Sequence, residues 1–194
     1  MSLSSIPASF GLLSGLSARA RSLIWIGFIA AASTAFSLVL ACATPFAALA
    51  AVSALNLSRR DATVAVFTAW IANQAIGFGL LGYPHDALTY AWGVVIGIGA
   101  LLSLGGAVAA ADLLRGRAAV LRGIAGFAVA FIVWQGALHA SAFVIGSGEA
   151  AFTFEIIAYV LQMNVLALAI LAVLHQAAIA LGVIARPLPV AAAA

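Results

Sequence analysis

Every basic side chain in this chain is an arginine, and the eight fall into four clusters: Arg19 and Arg21; Arg59 and Arg60; Arg115, Arg117 and Arg122; and Arg186. The stretches between clusters are apolar, and each is long enough to cross a bilayer out and back. Cytoplasmic loops of membrane proteins carry the excess of Lys and Arg. With every cluster on that side, the chain crosses an even number of times between neighbours. Three intervals of two crossings give six spans, with both termini inside. The opposite connections, at 42–45, 83–87 and 146–153, contain no Arg or Lys; their charges are Asp86 and Glu149, with Glu155 just beyond and His85 titratable.

Composition supports the same class. The sequence is 66% hydrophobic and 7% charged, whereas about a quarter of residues are charged in a soluble domain. The expected fold is all-α, a multi-pass integral membrane protein of six transmembrane helices, with a bacterial inner membrane as the expected location. A few arginines set against five carboxylates make the chain basic, so the charge reports topology and gives no case for nucleic-acid binding. Residues 1–22 read as a cytoplasmic or interfacial segment, 23–184 as the membrane domain and 185–194 as a disordered tail.

The expected spans are 23–41, 44–58, 62–82, 88–113, 119–145 and 154–183. The second is short: fifteen residues reach about 22 Å, against a hydrocarbon core of about 30 Å. Pro45 suits the start of a helix and Thr44 suits its N-cap. A single helix over 23–58 would measure roughly 54 Å and would carry Arg59 and Arg60 outside, so a hairpin is expected, its tip at 41–45 below the outer surface. Non-helical backbone at that depth requires protein or a water-filled cavity around it. Gly77, Gly79, Gly82, Gly93, Gly97, Gly105 and Gly106 permit close helix approach.

Polar side chains within a span face the protein interior or a cavity. Fixing the arginines inside assigns depth: Asn73, Gln74, Gln135, His139, Gln162 and Asn164 all fall in the outer half, and only His175 and Gln176 in the inner half. Trp70 precedes Asn73 and Gln74 on one face, at the spacing of helical neighbours. Cys42, Tyr83, His85, Asp86, Tyr90 and Trp92 belong to the same outer end. Two readings are open for this group. The polar residues form a small-molecule pocket open to the outside, or they hydrogen-bond between helices while Trp and Tyr line the membrane interface.

Cys42, the one cysteine, is either a small apolar filler or a soft ligand for a metal, with His139 or His85 beside it. Catalytic signals fail on placement. The serine of Gly146-Ser147-Gly148 lies in an outer loop and His175 near the inner end, which rules out a Ser–His pair. His139 and His175 lie at opposite depths, against a haem between them. No lysine exists for a Walker motif. A non-enzyme with no catalytic residues and no intrinsic cofactor is expected.

Six short Ala/Gly-rich spans with an outward-facing polar cluster resemble the substrate-binding S components of energy-coupling-factor vitamin transporters. Ala31-x-x-x-Ala35 resembles the alanine motif with which the first helix of that family docks on the transmembrane coupling subunit. Within the family, Cys42-Ala-Thr-Pro-Phe, Asn-Leu-Ser-Arg-Arg at 56–60 and Ala-Asn-Gln-Ala-Ile-Gly-Phe-Gly at 72–79 are similar to the BtuM-like cobalamin transporters. The resemblance implies uptake of a vitamin, with cobalamin as the transported ligand. It further implies Cys42 as a ligand of the corrinoid cobalt, and a membrane-embedded coupling subunit with ATPases as partners. The competing expectation is a noncatalytic structural or assembly subunit of a larger membrane complex.

Overall fold

A computed structural model describes residues 17, 19–21, 23–28 and 44–181. Cys42, Ala31 and Ala35 lie outside the described residues, as do most of the first expected span and the tail. The described residues form helices and no strand. Helix α1 is represented by 23–28, and is followed by α2 (Phe46–Asn56), α3 (Arg59–Gly79), α4 (Ala87–Leu113), α5 (Ala119–Ile145), a 3₁₀ turn (Glu149–Phe152) and α6 (Phe154–Ala180). The helices α3 to α6 are each long and apolar enough to cross a membrane. The protein is an all-helical membrane protein.

Boundaries follow from local chemistry. Ser58 accepts a hydrogen bond from the Asp61 N–H, which starts α3 three residues before the expected position. Asp86 caps α4 by accepting from the Thr89 N–H at 2.7 Å, and Thr153 caps α6 through Ile156. Helix α5 stops at Gly146, whose φ of 69° is the left-handed conformation glycine adopts without strain.

The short helix α2 is the centre of the bundle. Phe46 to Ser53 are buried without exception, and α2 packs against α3, α4, α5 and α6. Its sequence, FAALAAVSALN, is apolar on every face, the pattern of a helix with no solvent or lipid side. Ala47, Ala48, Ala50 and Ala51 let the surrounding helices approach the backbone. Eleven residues span about 16 Å, roughly half the hydrocarbon thickness. The second expected span is therefore a partial one, shorter than its sequence limits of 44–58.

Thr44 is not the N-cap of α2. Pro45 occupies that position, with no side-chain cap. Instead Asn164 reaches across from α6, its Oδ1 accepting the Ala48 N–H at 3.2 Å. A first-turn N–H has no carbonyl within its own helix, and in a membrane an unsatisfied one is expensive. The chain thus supplies from a neighbour what Pro45 lacks.

The outer helices pair closely. Between α4 and α5, the Ser103 hydroxyl donates to Ala130 O at 2.9 Å, and Gly106 leaves room for Val129 and Val133. Between α3 and α4, the Trp70 indole N–H donates to Gly93 O at 2.9 Å, and the ring lies against Gly97. By contrast α5 and α6 make little direct contact; each packs on α2 and on the 3₁₀ turn. At one end of the bundle Asp112 pairs with both Arg59 and Arg115. The opposite end carries the connections 80–86 and 146–153 and the start of α2. It contains no arginine.

Candidate functional site

The half-length of α2 creates a recess at the arginine-free end. Two adjoining cavities open there, of about 140 and 280 Å³, and both are lined by Thr44 and Ile96. Thr44 stands just before the buried first turn of α2, so the floor of both cavities lies well inside the bundle.

The smaller cavity lies between α3 and α4. Gln74 donates from its amide to Asn73 Oδ1 at 3.3 Å, and Asn73 donates from its amide to Thr44 Oγ1 at 3.2 Å. The three side chains form a directional row that runs to the hydroxyl at the head of α2. Tyr83 and Trp92 complete the wall. Their positions depend on glycines: a Cβ on Gly77 would come within 2.5 Å of the Tyr83 ring, and one on Gly93 within 2.7 Å of Gln74 Oε1. Gly148, at φ 84°, meets Trp92 in the same way. A left-handed loop residue is thus used where only a hydrogen can fit beside the indole.

The larger cavity fills the gap between α5 and α6. Trp134, Gln135 and Leu138 line it from α5, Tyr159 and Val160 from α6, and Phe152 from the 3₁₀ turn. Phe46 packs on Trp134 with ring centroids 5.2 Å apart, which joins the head of α2 to this wall.

Of the residues singled out from sequence, Asn73, Gln74, Tyr83, Trp92 and Gln135 line the two cavities. Trp70 lies one turn deeper, committed to Gly93 and Gly97. Asn164 is fully buried, with its amide oxygen on Ala48 and its amide nitrogen donating to Val160 O. His85 lies at the rim, where its Nδ1 is 2.8 Å from the Tyr90 hydroxyl and its ring is tilted against Phe78, with centroids 5.5 Å apart. His139 is exposed and edge-on to Phe143 and Phe152, and Gln162 is exposed. Thr44, Thr89, Trp134 and Tyr159 were not anticipated as lining residues. The signal available for Thr44 was its place before Pro45 at the head of a helix too short to span.

Among the described residues no charged side chain lines either cavity. The nearest carboxylate in the connecting loop, Asp86, is held below the usual carboxylate range by the backbone and side-chain hydrogen bonds of Thr89. It remains an anion that caps α4. Among the described residues no three His, Cys, Asp or Glu side chains gather as a metal site. The chemistry available is recognition by neutral amides, hydroxyls and aromatic faces. Comparison of the chain with protein-family models, with curated proteins and with solved structures returned no match.

Proposed function

We propose that this protein is the solute-binding component of a vitamin uptake system, with cobalamin as its ligand. The observation that carries the proposal is the recess above α2: two adjoining cavities with a Gln74–Asn73–Thr44 row on the floor, aromatic walls and no charged side chain among the described lining residues. A cation such as thiamin or a polyanion such as folate would lose hydration there without gaining a counter-charge, which is unfavourable. A corrinoid periphery of uncharged carboxamides matches these donors and acceptors. Each cavity is below the roughly 300–1,000 Å³ of a pocket that encloses a drug-sized molecule. The ligand therefore sits in the open mouth and sends peripheral groups into the two recesses.

In this proposal the arginine end faces the cytoplasm of a bacterial inner membrane, the chain crosses six times, and the recess faces outward. Cys42, two residues before Thr44, ligates the corrinoid cobalt. Ala31 and Ala35 dock the coupling subunit, whose ATPases drive uptake; the protein itself binds without catalysing a reaction.

The test is cyanocobalamin binding to purified full-length protein, read by calorimetry and by the corrinoid absorption spectrum. Asn73→Leu with Gln74→Leu lowers affinity by roughly tenfold or more, the scale of two buried ligand hydrogen bonds. Cys42→Ala removes the spectral shift. A well-folded wild-type protein that binds no corrinoid, and that fails to restore growth of a transport-deficient cobalamin auxotroph, would sink the proposal and leave the assembly-subunit alternative.

A further inference from the structure

A third cavity, of about 440 Å³, lies at the arginine end between α1 and the start of α3. Arg19 and Arg60 line it with Ser58 and Asp61 at one side, and Leu23, Ile26 and Val64 at the other. Both ion pairs among the described residues use Asp112, so neither Arg19 nor Arg60 belongs to one. The Asp61 carboxylate accepts from the Ser58 hydroxyl at 2.9 Å, within the cap of α3. Two guanidinium groups against one carboxylate leave this cavity net positive, and the N-terminus of α3 adds to it.

The apolar side does not end at the cavity. Leu23 is 55% exposed and Val64 41%, and the α3 face continues through Phe67 and Ile71, each 47% exposed, at the i, i+3, i+7 positions of one stripe. The surface runs from paired arginines at the bundle edge to a lipid-facing hydrocarbon stripe toward its middle. A phospholipid has the same order, phosphate first and acyl chain after. We infer that this cavity is a binding site for one anionic phospholipid, its phosphate held between Arg19 and Arg60 and one acyl chain along Leu23, Val64 and Phe67. Guanidinium groups match phosphate oxygens in a bidentate geometry, and basic pockets between helices on the cytoplasmic side suit anionic headgroups. The site lies at the opposite end from the solute recess and does not depend on it.

The test uses the detergent-purified full chain, titrated with phosphatidylglycerol, phosphatidylcholine or inorganic phosphate, with bound adducts counted by native mass spectrometry. Phosphatidylglycerol is retained in preference to phosphatidylcholine, and inorganic phosphate does not displace it. Arg19→Gln with Arg60→Gln weakens phosphatidylglycerol roughly thirtyfold, the loss of two basic charges near a membrane surface. Arg117→Gln, a control outside the cavity, has little effect. Asp61→Asn, which keeps an oxygen for Ser58 and removes the opposing charge, tightens binding; it decides the matter if the double variant does not accumulate. The inference is overturned by equal retention of phosphatidylcholine, by an equal loss in Arg117→Gln, by displacement with phosphate alone, or by unchanged or weaker binding in Asp61→Asn.

Discussion

Replacing Asn164 tests whether the head of α2 is held by a borrowed hydrogen bond. The side chain is 0% exposed, and its Oδ1 is the acceptor for the Ala48 N–H. Its other bond goes to Val160 O, one turn back in the same helix, where the carbonyl already serves the backbone ladder. The Ala48 bond therefore carries the effect. Losing a capping acceptor costs about 1 kcal/mol, and a buried donor left with no partner costs about 1–3 kcal/mol. These describe the same group and are not summed; about 2 kcal/mol is expected. Asn164→Leu keeps the branched shape and heavy-atom count and removes the acceptor, so it creates no void, although its bulkier methyl groups add a packing cost at this buried site. Asn164→Ala adds a void worth roughly a further 1 kcal/mol. The measurement is reversible unfolding in mixed micelles titrated with a denaturing detergent. An ordinary interhelical bond in a membrane is worth about 0.6 kcal/mol. If Asn164→Leu costs no more than that, the reasoning about the α2 terminus is refuted.

Three further outcomes follow from particular contacts. Gly97→Ala places a Cβ 2.6 Å from the Trp70 ring, and is expected to destabilise by about 1–3 kcal/mol in the same assay, as overpacking does; in a Trp70→Leu background, itself destabilised by loss of the bond to Gly93 O, the added cost of Gly97→Ala falls to near zero. Ser53 is fully buried and its hydroxyl has no hydrogen-bond partner among the described residues, so Ser53→Ala is neutral or stabilising by up to about 1 kcal/mol, and a clear loss of stability would contradict the assignment. For Asp86, hydrogen bonds from Thr89 lower the folded-state pKa below the ordinary value of 3.8. Its contribution is then complete above the ordinary value and is lost as pH falls through the lower, folded one. Asp86→Asn keeps an acceptor for the Thr89 N–H and removes that acid dependence, which is checked by hydrogen exchange at the start of α4 as a function of pH.

The long helices were legible because their ends carry punctuation. Residues 119–145 are expected as a span and form α5, set by Arg115 and Arg117 before it, Arg122 in its first turn and Gly146 after it. Helix α3 starts three residues before the apolar window 62–82 because Ser58 is its N-cap, and it ends three residues early, at Gly79, ahead of a turn in which Gly82 has a φ of 66°. Distance along the bundle from the arginine-bearing end is legible in the sequence, but the side of the helix is not. Helices this uniformly apolar leave no pattern to say which way a polar residue turns. Asn73, Gln74 and Gln135 meet the cavities, whereas Asn164, assigned the same depth, turns onto the backbone of α2. The central place of α2 has its signal in an all-round apolar sequence.

The burial of α2 also sets an order of events during synthesis. A helix of eleven residues, apolar but only half as long as a bilayer is thick, has no stable resting place in lipid, because its first-turn amides would face hydrocarbon. The residue that satisfies Ala48 arrives 116 positions later. The ribosome therefore delivers the core before its enclosure, and the nascent chain holds an unfinished centre until α6 enters. A chain truncated before Asn164 would leave that centre open to membrane proteases, however well α3, α4 and α5 had inserted.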